Sequence, residues 1–409
     1  MKNIIITPTF VDHFSYIKSY LKSFEKYAQG GNYLISFLIA KSEREQFQRI
    51  IKRYHKLPID VLYFEDLLKE YGITTSPASL LKTHGKFSYQ TLKKFYAMLH
   101  YGSEARFLVL DSESVLLNKT NIAEMFDNYF KDPFISVSHI KKRQRIHILF
   151  QYVFENTGQL GLSKDIWCLE NFVWYYDSRI LSDMFKELGS PIEIVNRISN
   201  YRKKHPVSGS LFEIQIYQCF IYKYYNKYRY RLVNIDEELK EALPENILQE
   251  YLTTFFHAKG GGCGLLEQTM DLLNKRNVKY LAKLFYKLKF NIIRCDNTRI
   301  KNYILQKKFL RIVQPNILAS SQDHAFGTEG TFTYLLKTSR YGKKFSEVLR
   351  SIKGSLKKIW GFLCKVKEFI IKIWQKPIFD PLRLLLYLPL VLFNMLRITI
   401  ILIRSTFIR

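Results

Sequence analysis

Cysteine is scarce in this 409-residue chain: Cys168, Cys219, Cys263, Cys295 and Cys364 are scattered, and no CxxC pair occurs. That excludes a zinc knuckle and a disulfide framework and favours a reducing, cytosolic setting. Acidic residues are also in short supply, 36 against 63 Lys and Arg, for a formal charge of +27. An excess of that size calls for an anionic partner, whether nucleic acid, lipid headgroups or phosphorylated substrates, without choosing among them. The apolar run Ile4-Ile5-Ile6 at the start is too short for a signal peptide and reads as a strand, so export is not expected. Internal repeats and low-complexity tracts are missing as well. What is plentiful is core material: 47% hydrophobic and 15% aromatic residues, which excludes global disorder.

The first third of the chain alternates strand-like and helix-like patterns. Residues 3–7 form a β-rich run stopped by Pro8, followed by an amphipathic stretch from Phe14 to Tyr27. Apolar runs Tyr33 to Ala40 and Ile59 to Phe64 flank a charged helical stretch from Ser42 to His55. Helix Tyr89–Tyr101 then leads into Arg106-Phe107-Leu108-Val109-Leu110-Asp111. This alternation predicts βαβ units, a mainly parallel α/β sheet flanked by helices, with ligands at the strands' carboxyl ends. From 134 to 257 the pattern is less regular and rich in aromatics. The cluster Gly260-Gly261-Gly262-Cys263-Gly264 marks a junction, 265–312 read as basic helices, and 314–332 as a loop. Three regions are expected: a catalytic domain over 1–260, a basic helical C-terminal extension and loop over 261–340, and a membrane-association region over 341–409.

In that last region Phe345, Leu349, Ile352, Leu356, Ile359, Leu363, Val366 and Ile370 recur at helical spacing. Lysines and arginines fill the gaps, opposed only by Glu347 and Glu368. Such a helix suits an anionic membrane interface, where each cation adds about 1 kcal/mol. Residues 382–403 are more apolar and span roughly the 20 residues of a membrane helix. Arg397 and Pro389 favour a monotopic or re-entrant segment, with a single span as the alternative.

Chemistry is expected first at Asp111-Ser112-Glu113. Two carboxylates two positions apart, after a buried strand, can share Mg²⁺ or Mn²⁺, which in turn neutralises a nucleotide diphosphate. An incidental solvated turn is the bland alternative. Farther on, Glu213 and Tyr217 lie one helical turn apart on one face. Glu213 could bind an acceptor, serve as a general base, or simply pair with a basic residue. Trp174-Tyr175-Tyr176-Asp177 offers rings that could stack on a sugar, or a core cluster.

From Tyr89-Gln90-Thr91-Leu92-Lys93-Lys94-Phe95-Tyr96-Ala97 to Leu110-Asp111-Ser112-Glu113, the chain resembles the GT-A superfamily of glycosyltransferases. There a lysine-bearing helix leads to a strand ending in Asp-x-Asp; here Glu113 stands where aspartate is usual. The resemblance covers roughly residues 1–260 and implies a GT-A-type (Rossmann-like) fold. It also implies a nucleotide-sugar donor, with Asp111 on ribose or metal and Glu113 on metal. Lys93 or Lys94 would lie near phosphate, and Thr7, Thr9 and Asp12, after the first strand, would touch base and ribose. Asp12 equally suits a helix N-cap. Leu211 to Tyr217 resembles a segment of a bacterial family of GT-A-like proteins, which implies acceptor contacts for Glu213 and Tyr217, with Trp174 and Tyr176 nearby. His257 and Lys259 are similar in order to a late histidine that completes a metal shell and a lysine that binds diphosphate.

The expected activity is therefore transfer of a sugar from a nucleotide sugar to a glycan or lipid-linked acceptor at the cytoplasmic face of the membrane. Cell-surface polysaccharide (capsule or lipopolysaccharide) synthesis is the setting the class suggests. A basic nucleic-acid-binding protein and a non-catalytic membrane scaffold are the alternatives. Tyr222 to Tyr230, with Lys223, Lys227 and Arg229, gives nucleic acid some support, but no nucleic-acid fold signature accompanies it.

Overall fold

The structure is a computed structural model that describes residues 1–138, 174–204, 213–257, 265–266, 269–294 and 303–319. The chain divides into two compact units, Met1–Gly330 and Thr331–Arg409, and the second lies outside the described residues.

Five strands form the main sheet. β1 (Lys2–Pro8) is followed by α1 (Phe14–Tyr27), β2 (Leu34–Ile39), α2 (Arg44–Ile51), β3 (Ile59–Tyr63), α3 (Phe64–Glu70) and α4 (Pro77–His100). β4 (Ala105–Val109) and β5 (Val115–Leu116) come next, then α5 (Ile122–Lys131), β6 (Phe134–Val137) and β7 (Tyr175–Asp177). The strand order is β3-β2-β1-β4-β7, parallel except for β7 against β4. Ile4, Ile5 and Ile6 are fully buried, as a central parallel strand covered on both faces requires. The mixed, parallel-rich α/β sheet flanked by helices agrees with the sequence pattern.

The helices form where apolar spacing and caps permit. Ile17, Tyr20, Leu21 and Phe24 give α1 its buried face. Ser76 caps α4 by accepting from the Ser79 amide, with Pro77 at the first position. At Gly85 (φ 78°) this helix breaks, a backbone conformation that a side chain would strain. Beyond the break, Leu92, Phe95, Tyr96, Ala97 and Met98 are buried in the core, and Lys93 and Lys94 are buried with them.

The later chain runs through α6 (Ser178–Leu188), α7 (Pro191–Lys204), α8 (Glu213–Lys223) and β8 (Arg231–Asn234). α9 (Ile235–Ala242), α10 (Glu245–His257), α11 (Val278–Lys287), β9 (Ile292–Arg294), α12 (Tyr303–Val313) and β10 (Ile317–Ala319) complete it. β8 pairs with β6 in parallel. β10 pairs with β9 in parallel and with β5 antiparallel, so part of the expected 314–332 loop is a strand. Its pairing places Ile317 and Leu318 against Val115 and Leu116, just past Asp111. Among the described residues no helix is long and apolar enough to cross a membrane; residues 382–403 lie outside them.

Candidate active site

The strand order reverses between β1 and β4, so the crevice at their carboxyl ends is where an open α/β sheet binds ligands. The loops that emerge there are tied together. His13 Nδ1, after β1, lies 2.9 Å from Glu113 Oε1 and 3.0 Å from Ser112 Oγ, after β4. Ser112 Oγ also donates to Glu113 Oε2 at 2.9 Å. The Val11 amide donates to Glu43 Oε1 at 2.9 Å, joining the β1 loop to the turn after β2. Lys41 bridges onward, its amide donating to Glu65 and its Nζ to Asp66. These contacts fix the rim of the crevice at four consecutive strands. His13 is the member that sequence reasoning passed over; its signal was a short-range one, an imidazole directly after the first strand.

Within this frame Asp111 is half-buried at the end of β4, and its backbone oxygen accepts from the Ser114 amide. Glu113 is buried, with its two oxygens engaged by His13 and Ser112. A cation needs several converging oxygen ligands. Glu113 has both oxygens committed, the His257 side chain lies outside the described residues, and so does Lys259. Among the described residues no group of three or more His, Cys, Asp and Glu could hold a metal. Glu113 turns towards His13, with Oε1 facing the imidazole and Oε2 accepting from Ser112.

The donor contacts expected after β1 divide. Thr7 faces inward, its hydroxyl donating to Tyr20 Oη at 3.1 Å, and so does not reach the crevice. Thr9 is buried with Oγ1 lacking a hydrogen-bond partner among the described residues, the kind of orphan a ligand satisfies. Asp12 is exposed in a short 3₁₀ turn, Val11–His13, and α1 starts without a side-chain cap.

Lys93 and Lys94 separate as well. Lys94 Nζ is 2.7 Å from Glu213 Oε1 and 4.1 Å from the Trp174 ring centroid. Thr91 and Tyr176 donate to the same carboxylate at 3.5 and 3.4 Å. Glu213 is fully buried and pairs with Lys94, the arrangement that stood as the alternative to a general base or acceptor ligand. Burial, then the charges of Glu213 and Asp111, hold the Tyr176 phenol well above its ordinary pKa, which keeps it a donor. Tyr176 and Tyr217 pack on each other at 4.7 Å between centroids, and Tyr217 Oη accepts from the Asp177 amide. These two buried rings hold β7 to α8, and Trp174 is 7% exposed.

Lys93 has no ion-pair partner among the described residues and is 6% exposed. Desolvation by burial lowers its ammonium to a pKa of about 8, while the charges of Glu43 and Glu65 pull it back up. A buried cation beside the rim is a costly feature that an anionic ligand would repay.

No family model matches this sequence. No curated protein matches it either. The solved structures similar to it are glycosyltransferases. Mouse xyloside xylosyltransferase 1, in its apo form, shares 12% identity over 57% of this chain and 85% of that one, with a TM-score of 0.35. The apo glycosyltransferase GlyE of Streptococcus pneumoniae TIGR4 shares 11% over 73% and 69%, with a TM-score of 0.30. TarS of S. aureus in complex with UDP-GlcNAc shares 13% over 71% and 81%, with a TM-score of 0.25. All three superpose on this chain loosely.

Proposed function

We propose that this chain is a glycosyltransferase whose nucleotide-sugar donor lies in the crevice between the carboxyl ends of β1 and β4. The observation that carries the reading is Asp111 at the strand-order reversal. It is joined by the orphaned Thr9 hydroxyl after β1 and by buried Lys93, unpaired among the described residues and within the field of the rim carboxylates Glu43 and Glu65. Asp111 would accept from ribose or sugar hydroxyls, and Thr9 would donate to the nucleotide. Lys93 would take the diphosphate, whose negative charge grows as the bond to the anomeric carbon breaks. The Lys94–Glu213 pair would keep helix α4, and so Lys93, in register with that leaving group.

The acceptor reading is a glycan or lipid-linked sugar at the cytoplasmic membrane face. It draws support from the cationic, amphipathic sequence of 343–376 and the apolar stretch 382–403. A role in cell-surface polysaccharide synthesis is part of the same proposal. The deciding experiment is calorimetry with a panel of nucleotide sugars, with and without Mn²⁺, followed by donor-hydrolysis assays on the binders. Uptake of at least one donor, weakened in Asp111→Asn, is expected; a panel with no binder sinks the enzymatic reading.

A further inference from the structure

A second cavity, of about 560 Å³, opens where α5, the starts of β6 and β8, and the α11–β9 turn meet. It shares no lining residue with the Asp111 crevice, and its volume falls in the range of about 300–1,000 Å³ that holds small ligands.

Of the three asparagines that line it, Asn291 and Asn316 are held in fixed orientations. Asn291 Nδ2 donates to the buried Tyr175 Oη at 3.2 Å, and Asn316 Nδ2 donates to Thr120 Oγ1 at 3.0 Å. With one amide hydrogen of each residue engaged, each Oδ1 remains as an acceptor, and neither accepts a hydrogen bond among the described residues. Fixed acceptors of this kind suit hydroxyl groups. Phe134 and Phe290, with ring centroids 5.7 Å apart, supply an apolar wall for the C–H face of a ring.

The cavity is also positively charged. Lys131, Arg231 and Lys289 line it against a single carboxylate, Asp132. Arg231 meets Asp132 loosely, at 3.3 Å, while Lys131 and Lys289 have no ion-pair partner among the described residues. Lys289 also stands at φ 54°, a left-handed position where glycine or asparagine is the usual occupant.

We propose that this cavity binds an anionic monosaccharide unit: a hydroxyl-rich ring seated on Phe134 and Phe290, its hydroxyls donating to Asn291 and Asn316. The acid group, carboxylate or phosphate, meets Lys131, Lys289 and Arg231. The inference is independent of any transfer at Asp111.

Calorimetry on the full chain without nucleotide sugar tests it, using glucuronate, glucose 6-phosphate, glucose and inorganic phosphate as probes. One or both acid sugars should bind at least about tenfold more tightly than glucose or phosphate. Which one binds identifies the carboxylate or the phosphate as the recognised group. The double variant K131E/K289E, confined to exposed side chains, should lose about tenfold or more of that affinity with an unchanged thermal melt. Asp111→Asn should leave it intact, which separates this site from the crevice. Binding of neither acid sugar, phosphate binding as tightly as the sugars, or indifference to K131E/K289E overturns the proposal.

Discussion

Lys94 Nζ stands 2.7 Å from Glu213 Oε1, with the two side chains 5% and 0% exposed. The pair joins α4 to α8 across the edge of the main sheet, and Tyr176, Thr91 and Trp174 enclose it. Two desolvated charges gain little net stability from each other, yet removing one strands the other. Glu213→Gln should therefore cost roughly 3–5 kcal/mol, whereas Lys94→Met with Glu213→Leu should recover most of that loss. A urea-denaturation double-mutant cycle reads both. If the double variant also keeps donor turnover, Glu213 has no direct part in the chemistry; if turnover vanishes while the fold is intact, its carboxylate does.

Lys93 carries the opposite signature, a buried ammonium without a counter-ion among the described residues. In the folded state burial lets it release its proton at about pH 8, against 10.5 for an ordinary lysine. Between those pH values the unfolded chain binds more protons, so this residue's contribution to stability rises with pH over that interval. Below about pH 8 the folded chain carries the whole burial penalty, of roughly 3 kcal/mol. Lys93→Met should thus raise the melting temperature at pH 7, and the gap between variant and wild type should narrow as pH climbs from 8 to 10.5. Under the proposed function the same variant loses donor affinity. Wild-type donor affinity should itself fall as pH rises past 8, by deprotonation of the ligand-free site.

How much of this was readable in advance depends on the range of the interaction. Periodicity places α1 at Phe14–Tyr27 and ends β4 just short of Asp111, because both patterns are local and each element buries one continuous apolar face. The Lys94–Glu213 pair spans 119 positions and leaves no local trace. A helix carrying two adjacent lysines reads as a solvated face, and only the packing of α4 beneath the sheet reveals that both are buried. Glu113 reads as half of an acid pair until His13, at the far end of another loop, claims it. β10 is three residues long, too short for any alternation to register, and exists because β5 and β9 flank it.

Asp111 offers the direct test of the crevice. Its side chain is half-buried at the surface of the site rather than in the core, so Asp111→Asn should leave the melt nearly unchanged. Transfer or donor hydrolysis should fall by about a hundredfold or more if the carboxylate acts on the bound donor. Parallel titration with Mn²⁺ shows whether a cation enters through this residue: an Mn²⁺ requirement that disappears together with Asp111 assigns it that role. Equal activity of variant and wild type removes Asp111 from the site.

The proposed membrane docking draws on the charge of residues 343–376 and is testable without shortening the chain. Changing Lys357, Lys358, Lys365 and Lys367 to Gln removes four positive charges while keeping the apolar positions Leu356, Ile359, Leu363 and Val366. At about 1 kcal/mol for each cation near an anionic surface, co-sedimentation with phosphatidylserine-containing vesicles should weaken by two to three orders of magnitude. Binding to neutral vesicles should change little, since it draws on the apolar stripe alone. Raising salt should reproduce the loss in the unaltered chain, because the screening length contracts to about 3 Å at 1 M. Retention on anionic vesicles after the four substitutions, at low salt, would mean that 382–403 anchors the protein by itself and that the lysines serve another anion.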